Sequence, residues 1–196
     1  PSRSGIDRAT ASFHAASAYN VLAMSGTSNA LCTSAGSCSE IALSLLDQSL
    51  ASQQDNQVAL TGSAEQVGAN KRFILRRTLE RSRALRAVAN SGAANASCGT
   101  RTSCLADAAA LLTSISVEIP PASEQPEDAR LGCEILDTRW RVNSDLGRER
   151  EYLYVQDLRR LVAECPSYAA SASDRLAEIS FERAESVKAD LTPAAS

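Results

Sequence analysis

Six cysteines are the residues best placed to do chemistry in this 196-residue sequence; they stand at 32, 38, 98, 104, 133 and 165. Thiolates can bind zinc, run a redox cycle or close disulfides. Zinc sites usually space them two to four residues apart and often recruit histidine. Here Cys32 and Cys38 enclose five residues, as do Cys98 and Cys104, and the lone histidine, His14, lies far off in sequence. No C-x-x-C or C-x-x-C-H is present, so a redox pair or attached haem is not expected. The even count and paired spacing instead predict three structural disulfides, Cys32–Cys38, Cys98–Cys104 and Cys133–Cys165. That places the chain outside the reducing cytosol: periplasm, cell exterior or surface, or an organelle lumen. The first residue is Pro1 rather than methionine, as expected of a mature form released from a signal or transit peptide.

Other catalytic sets are thin. With one histidine there is no Ser-His-Asp or Cys-His array unless His14 serves it, and His14, beside Phe13, reads as a surface or partly buried residue, with a pigment, haem or metal ligand as the lesser alternative. Glu149, Glu151 and Asp157 could form an acid/base set, yet they alternate with Arg148, Arg150, Arg159 and Arg160 as a solvated helical face does. No phosphate loop, calcium loop or H-E-x-x-H occurs. Asn95-Ala96-Ser97 is a glycosylation sequon, meaningful only in a eukaryotic secretory protein. The expectation is a protein that is not an enzyme and carries neither metal nor cofactor.

The elements that hold the cysteines repeat. Ser25-Gly26-Thr27-Ser28-Asn29-Ala30-Leu31-Cys32 is echoed 66 residues on by Ser91-Gly92-Ala93-Ala94-Asn95-Ala96-Ser97-Cys98. The same offset matches Cys38 to Cys104 and Leu45-Leu46 to Leu111-Leu112. The unit reads as helix, cysteine-closed loop, helix, with Gly26 and Gly92 where a C′ glycine would end the first helix in a left-handed turn. Periodicity places helices at about residues 5–25 (Ile6, Phe13, Val21, Met24), Ser39 to Leu50, a long helix from Ser63 to about Asn90, and a fourth carrying Leu105, Ala108, Leu112 and Ile115. Ser63 with Gln66 resembles a capping box opening the third of these.

Residues 119–126, with Pro120-Pro121 and Pro126, form a linker. It divides two tandem repeats within 1–118 (about 5–50 and 63–117) from a C-terminal part, 127–196. One unbroken helix between Pro126 and Pro166 would hold Cys133 and Cys165 about 48 Å apart, far beyond the ~7 Å a disulfide allows. The segment must fold back, and Asn143 to Gly147 has turn chemistry near its midpoint. A final helix, Ser173 to Asp190, carries Leu176, Ile179, Phe181, Ala184 and Val187. The predicted fold is all-α: six to seven helices in disulfide-stapled hairpins, stacked or bundled into an elongated body. Alanine supplies 34 residues, serine 27 and aromatics only 8, which favours close helix contacts over a deep core.

Charge is segregated: −3 over residues 1–70, +7 over 71–104 and −7 over 105–196. Arg72, Arg76 and Arg83 fall within about 40° of one another on a helix; Asp174, Glu178, Glu182 and Glu185 form an acidic face on the last one. An acidic isoelectric point near 5.3 and the absence of aromatics among the arginines argue against nucleic acid. No apolar run approaches the roughly 18 residues of a membrane span. These readings point to a structural or interaction subunit that contacts other proteins, itself included, in a filament, surface layer or envelope or lumenal complex. The alternative is a monomeric helical module binding a small hydrophobic ligand, a pigment or a secreted enzyme.

Overall fold

The computed structural model describes residues 3–26, 30–57, 64–92, 98–118, 121 and 123–191. Among them the fold is all-α, with seven helices and no strand. They are α1 (Arg3–Ser25), α2 (Ala35–Gln57), α3 (Ala64–Ser91), α4 (Arg101–Ser116), α5 (Pro126–Leu146), α6 (Glu151–Glu164) and α7 (Pro166–Leu191), with a 3-10 turn, Arg148–Arg150, between α5 and α6. The chain divides into two compact units, Pro1–Glu118 and Ile119–Ser196.

In the first unit α1 pairs with α2 and α3 with α4, and α3 also lies against α1 and α2. The offset recurs at each corner: α1 and α3 end 66 residues apart, and the starts of α2 and α4 are 66 residues apart. Gly26 and Gly92 follow the first helix of each pair with φ of 67° and 69°, a conformation that costs a side-chain-bearing residue energy. Ser25 Oγ donates to Leu22 O at 3.0 Å and Ser91 Oγ to Val88 O at 2.8 Å, closing the same last turn twice.

The cysteine loops then lead into the next helix. Disulfides join Cys32 to Cys38 and Cys98 to Cys104, each with α-carbons 5.0 Å apart. Cys38 and Cys104 lie in the first turns of α2 and α4, so each cross-link ties the incoming loop to a helix N-terminus. Closing about seven residues removes roughly 2.4 kcal/mol of unfolded-chain entropy in the usual model. Reciprocal caps reinforce the corner. Ser34 N–H donates to Ser37 Oγ (3.0 Å) and Ser37 N–H to Ser34 Oγ (3.1 Å); Thr100 and Ser103 repeat the pair at 3.0 and 3.1 Å. This cap starts α2 at Ala35, a turn earlier than the apolar period suggested. The cap expected at Ser63 lies outside the described residues.

The packing faces also recur at the offset of 66: Ala9 with Leu75, Phe13 with Leu79, Ala16 with Ser82, Ala23 with Ala89, Ala42 with Ala108, and Leu46 with Leu112 are all buried. One expectation is corrected here. Val21 and Met24 are 65% and 63% exposed; the buried face of α1 is Ala9, Phe13, Ala16, Asn20 and Ala23, a period carried mostly by alanine. Small side chains let α1 and α2 approach closely, and Leu43 and Leu46 of α2 are buried with them. Leu105, Ala108, Leu112 and Ile115 of α4 are all buried, as their spacing predicts.

In the second unit α6 packs on α5 and on α7. Cys133 and Cys165 form the third disulfide, α-carbons 5.8 Å apart, within a core of Leu136, Tyr154, Leu158, Leu161, Ala172 and Ile179, with Trp140 against it. The reversal is tighter than the sequence suggested. Asn143 is buried inside α5, and the corner rests on Gly147, φ 111° and ψ −175°, a region open essentially to glycine alone. α7 begins at Pro166 rather than Ser173, because proline is well suited to the first turn of a helix. Phe181 and Val187, grouped by period with Leu176 and Ile179, are exposed at 68% and 58%; every residue from Ser180 to Lys188 is exposed, so α7 outruns the core it packs on.

A Cβ at Gly147 would meet nothing within 4 Å, so replacing it costs strain alone. Gly147→Ala is expected to destabilise the second unit by about 1–3 kcal/mol. Gly68, inside α3 and equally open, should give the opposite sign: Gly68→Ala stabilises the first unit by about 0.5–1 kcal/mol. Urea unfolding checks both, with fluorescence of the single tryptophan, Trp140, reporting the second unit and far-ultraviolet circular dichroism the first.

Candidate functional site

α3 holds seven of the eight basic residues between 71 and 104, and its neighbours use most of them. Arg81 pairs with Asp47 of α2, Lys71 with Glu118 at 2.8 Å, and Arg83 with Glu80 at 2.6 Å on its own helix. Arg77 is buried; burial first, then the charge of Arg81, lowers its guanidinium from the ordinary value. Glu80, the lone acid of the block, is nearly enclosed, and Asn20 Nδ2 of α1 donates to its carbonyl at 2.9 Å and to its Oε2 at 2.7 Å. α1, α2 and α4 cover α3 around most of its girth. The sector left uncovered holds Arg72, Arg76 and Arg83, with Arg76 and the later Asn90 exposed.

On α7 the acidic residues Asp174, Glu178, Glu182 and Glu185 are all exposed, within about 80° of one another at 100° per residue. Arg175 sits within the row, donating to Glu178 at 2.7 Å and lying 3.5 Å from Glu182. The hydrogen bond that Arg175 donates to Glu178 is the main cause that raises the Arg175 pKa. Exposed Phe181 stands beside this row, opposite the face that packs on α6.

The acid/base set considered from sequence is dispersed. Asp157 is 2% exposed and accepts a bidentate contact from Arg139 of α5, at 2.9 and 2.5 Å; it clamps two helices. Glu149 is exposed, and Glu151 pairs with Arg183 of α7. His14 is exposed, its ring 5.5 Å from that of Phe13. Among the described residues no group of three or more His, Cys, Asp and Glu could hold a metal, and no helix is long and apolar enough to cross a membrane. Asn95 lies outside the described residues.

Sequence reasoning missed a groove of about 430 Å³ in the second unit, where the end of α5, the 3-10 turn, the start of α6 and the outer half of α7 meet. Arg148, Arg175 and Arg183 line it together with Glu151 and Glu182; buried Tyr154 and Ile179 form its inner side, and Ser144, Gly147, Ser186 and Val187 its edges. Burial, and then the charge of Glu151, raises the Tyr154 hydroxyl above its usual value, with Glu182 adding and Arg175 and Arg183 opposing. The only sequence signal was that Arg175 and Arg183 interrupt an acidic helix two turns apart; that they face Glu151 and Arg148 depends on the corner at Gly147.

No protein-family model, curated protein or solved structure matches this chain. Its surfaces must be read from their own chemistry.

Two outcomes follow from the second unit. Asp157→Asn leaves Arg139 half-covered without its carboxylate and should cost about 3–5 kcal/mol in the Trp140 unfolding transition. Tyr154, its folded pKa raised, contributes stability that is present below the ordinary tyrosine value of about 10 and is lost as pH climbs through the folded value. Alkaline titration monitored by Trp140 should therefore show a loss of stability above about pH 10 that Tyr154→Phe diminishes.

Proposed function

We propose that this chain is a non-enzymatic subunit of an extracytoplasmic assembly, joined to further copies of itself through the arginine sector of α3 and the acidic row of α7. The observation that carries the reading is where charge remains exposed. The first unit holds ten basic against eight acidic residues and the second ten against fifteen; Arg76 is exposed on α3, and Asp174, Glu178, Glu182 and Glu185 are exposed on α7. A contact between two different faces is heterologous, and repeated it builds a ring or an open filament. The compartment rests on the disulfides: all six cysteines are paired, a state that persists in oxidising surroundings and is rare in the cytosol.

A second reading, a monomeric binding module, draws on the groove of the second unit. Its lining of arginines and carboxylates suits a charged ligand better than a hydrophobic one or a pigment.

Light scattering coupled to size exclusion, on non-reduced protein, distinguishes these. At about 50 mM salt the mass should exceed the single-chain 20.7 kDa and grow with concentration; at about 500 mM it should fall to one chain, because exposed charge pairs are screened. The double reversals Arg72→Glu/Arg76→Glu and Asp174→Arg/Glu185→Arg should each be monomeric at low salt, and mixing the two should restore a dimer. A 20.7 kDa species at every concentration and salt would reject self-assembly.

A further inference from the structure

We propose that the groove in the second unit binds a small organic monoanion, its carboxylate held by Arg148 and its apolar portion lying against Ile179 and Val187. The groove shares Glu182 with the acidic row of α7, but Arg148 lies outside both proposed assembly faces, so the proposal holds whether or not the chain associates.

Three arginines and two glutamates line the groove, a surplus of one positive charge. The unit around it carries ten basic and fifteen acidic residues, so composition alone would give a negative recess. The local sign is reversed because cations from separate elements converge, one from the 3-10 turn and two from α7. Two of them are held by carboxylates: Arg183 by Glu151, and Arg175 by Glu178 and Glu182. The Arg183–Glu151 pair ties α7 to the start of α6, and the Arg175 pairs hold that side chain along α7. Arg148 is exposed and enters no ion pair among the described residues. Its planar fork of donors matches a carboxylate bidentately, and one added negative charge makes the lining neutral.

The remaining features agree with that ligand class. A volume of about 430 Å³ falls in the range of small-molecule sites, which combine apolar walls with a few convergent polar groups. Tyr154, like any tyrosine protonated at neutral pH, adds no negative charge to the inner side. Ile179 is buried and Val187 exposed, so an apolar ligand portion would cover surface that α7 leaves open where it passes beyond the core. A dianion would exceed the local surplus, and a cation would add to it.

Three probes of equal size and different charge test the proposal: benzoate, benzamide and benzamidine, titrated into the ¹⁵N-labelled full chain at low salt. Benzoate should shift the amides of Gly147, Arg148 and Tyr154 saturably, with a millimolar constant, and the neutral and cationic probes should bind at least about tenfold more weakly. Arg148→Ala should weaken benzoate at least about fivefold with the Trp140 unfolding transition unchanged, and Arg148→Glu should abolish binding. Should either substitution shift that transition, Arg148→Lys, which keeps the charge and loses the fork, replaces it and should still weaken benzoate. Equal binding of benzoate and benzamide would overturn the proposal. So would benzoate shifts confined to α3, no saturable shift up to about 50 mM, or wild-type affinity in every Arg148 variant.

Discussion

Two reversals in the first unit, α1 to α2 and α3 to α4, are built on one constraint: a disulfide that ties an irregular loop to the first turn of the helix it feeds. A chain rich in alanine and serine has few large side chains with which to hold two helices antiparallel, so the corner itself must be stiff. Cys38 and Cys104 supply the covalent tie, the left-handed glycines Gly26 and Gly92 end the preceding helix, and the Ser34/Ser37 and Thr100/Ser103 pairs satisfy N–H groups that a helix start leaves open. With the corner set, alanines at 9, 16, 23 and 42 can form the α1–α2 contact by close approach rather than by bulk. The second unit solves the same problem differently: its corner is a single strained glycine, and its covalent tie lies inside the α5–α6 pair, joining positions 32 residues apart.

Polar contacts fix the register that small residues leave loose. Ser49 Oγ donates to Ala9 O at 2.9 Å between α2 and α1, Asn20 holds Glu80 between α1 and α3, and Arg139 holds Asp157 between α5 and α6. Each joins two helices at one point, and each involves a buried group whose partner cannot be removed cheaply. Alanine faces tolerate sliding; these contacts do not. Of the basic block, Arg81 also reaches across to Asp47 of α2 and Arg101 of α4 to Asn90 of α3, while Arg83 pairs with Glu80 on its own helix.

What could be read from sequence was whatever is encoded locally or by exact recurrence. The cysteine spacing, the 66-residue echo and the geometric impossibility of one helix between Pro126 and Pro166 led to helical hairpins and to where they are stapled. What escaped was set by tertiary context. Val21 and Met24 look like core residues by hydropathy, yet the alanines of α1 face α2. Phe181 and Val187 keep an apolar period, but α7 has run past the apolar core by then and meets α6 through the Arg183–Glu151 pair. The cap at Ser34 was visible as a serine three residues before another, a weaker signal than serine before glutamate. The groove could not be seen at all, because Arg148, Glu151, Arg175 and Arg183 converge only once Gly147 has turned the chain.

The placement of Cys133–Cys165 has a mechanical side. Tension applied through the two ends of the second unit would enter α5 in its first turns, cross the disulfide and leave through α7 directly. The 31 residues between the two cysteines, including the Gly147 corner, Arg148 and the start of α6, form a closed loop that carries none of that load. A strand of such units could bear strain along its length while the corner of α5 and α6 stayed slack and kept its shape.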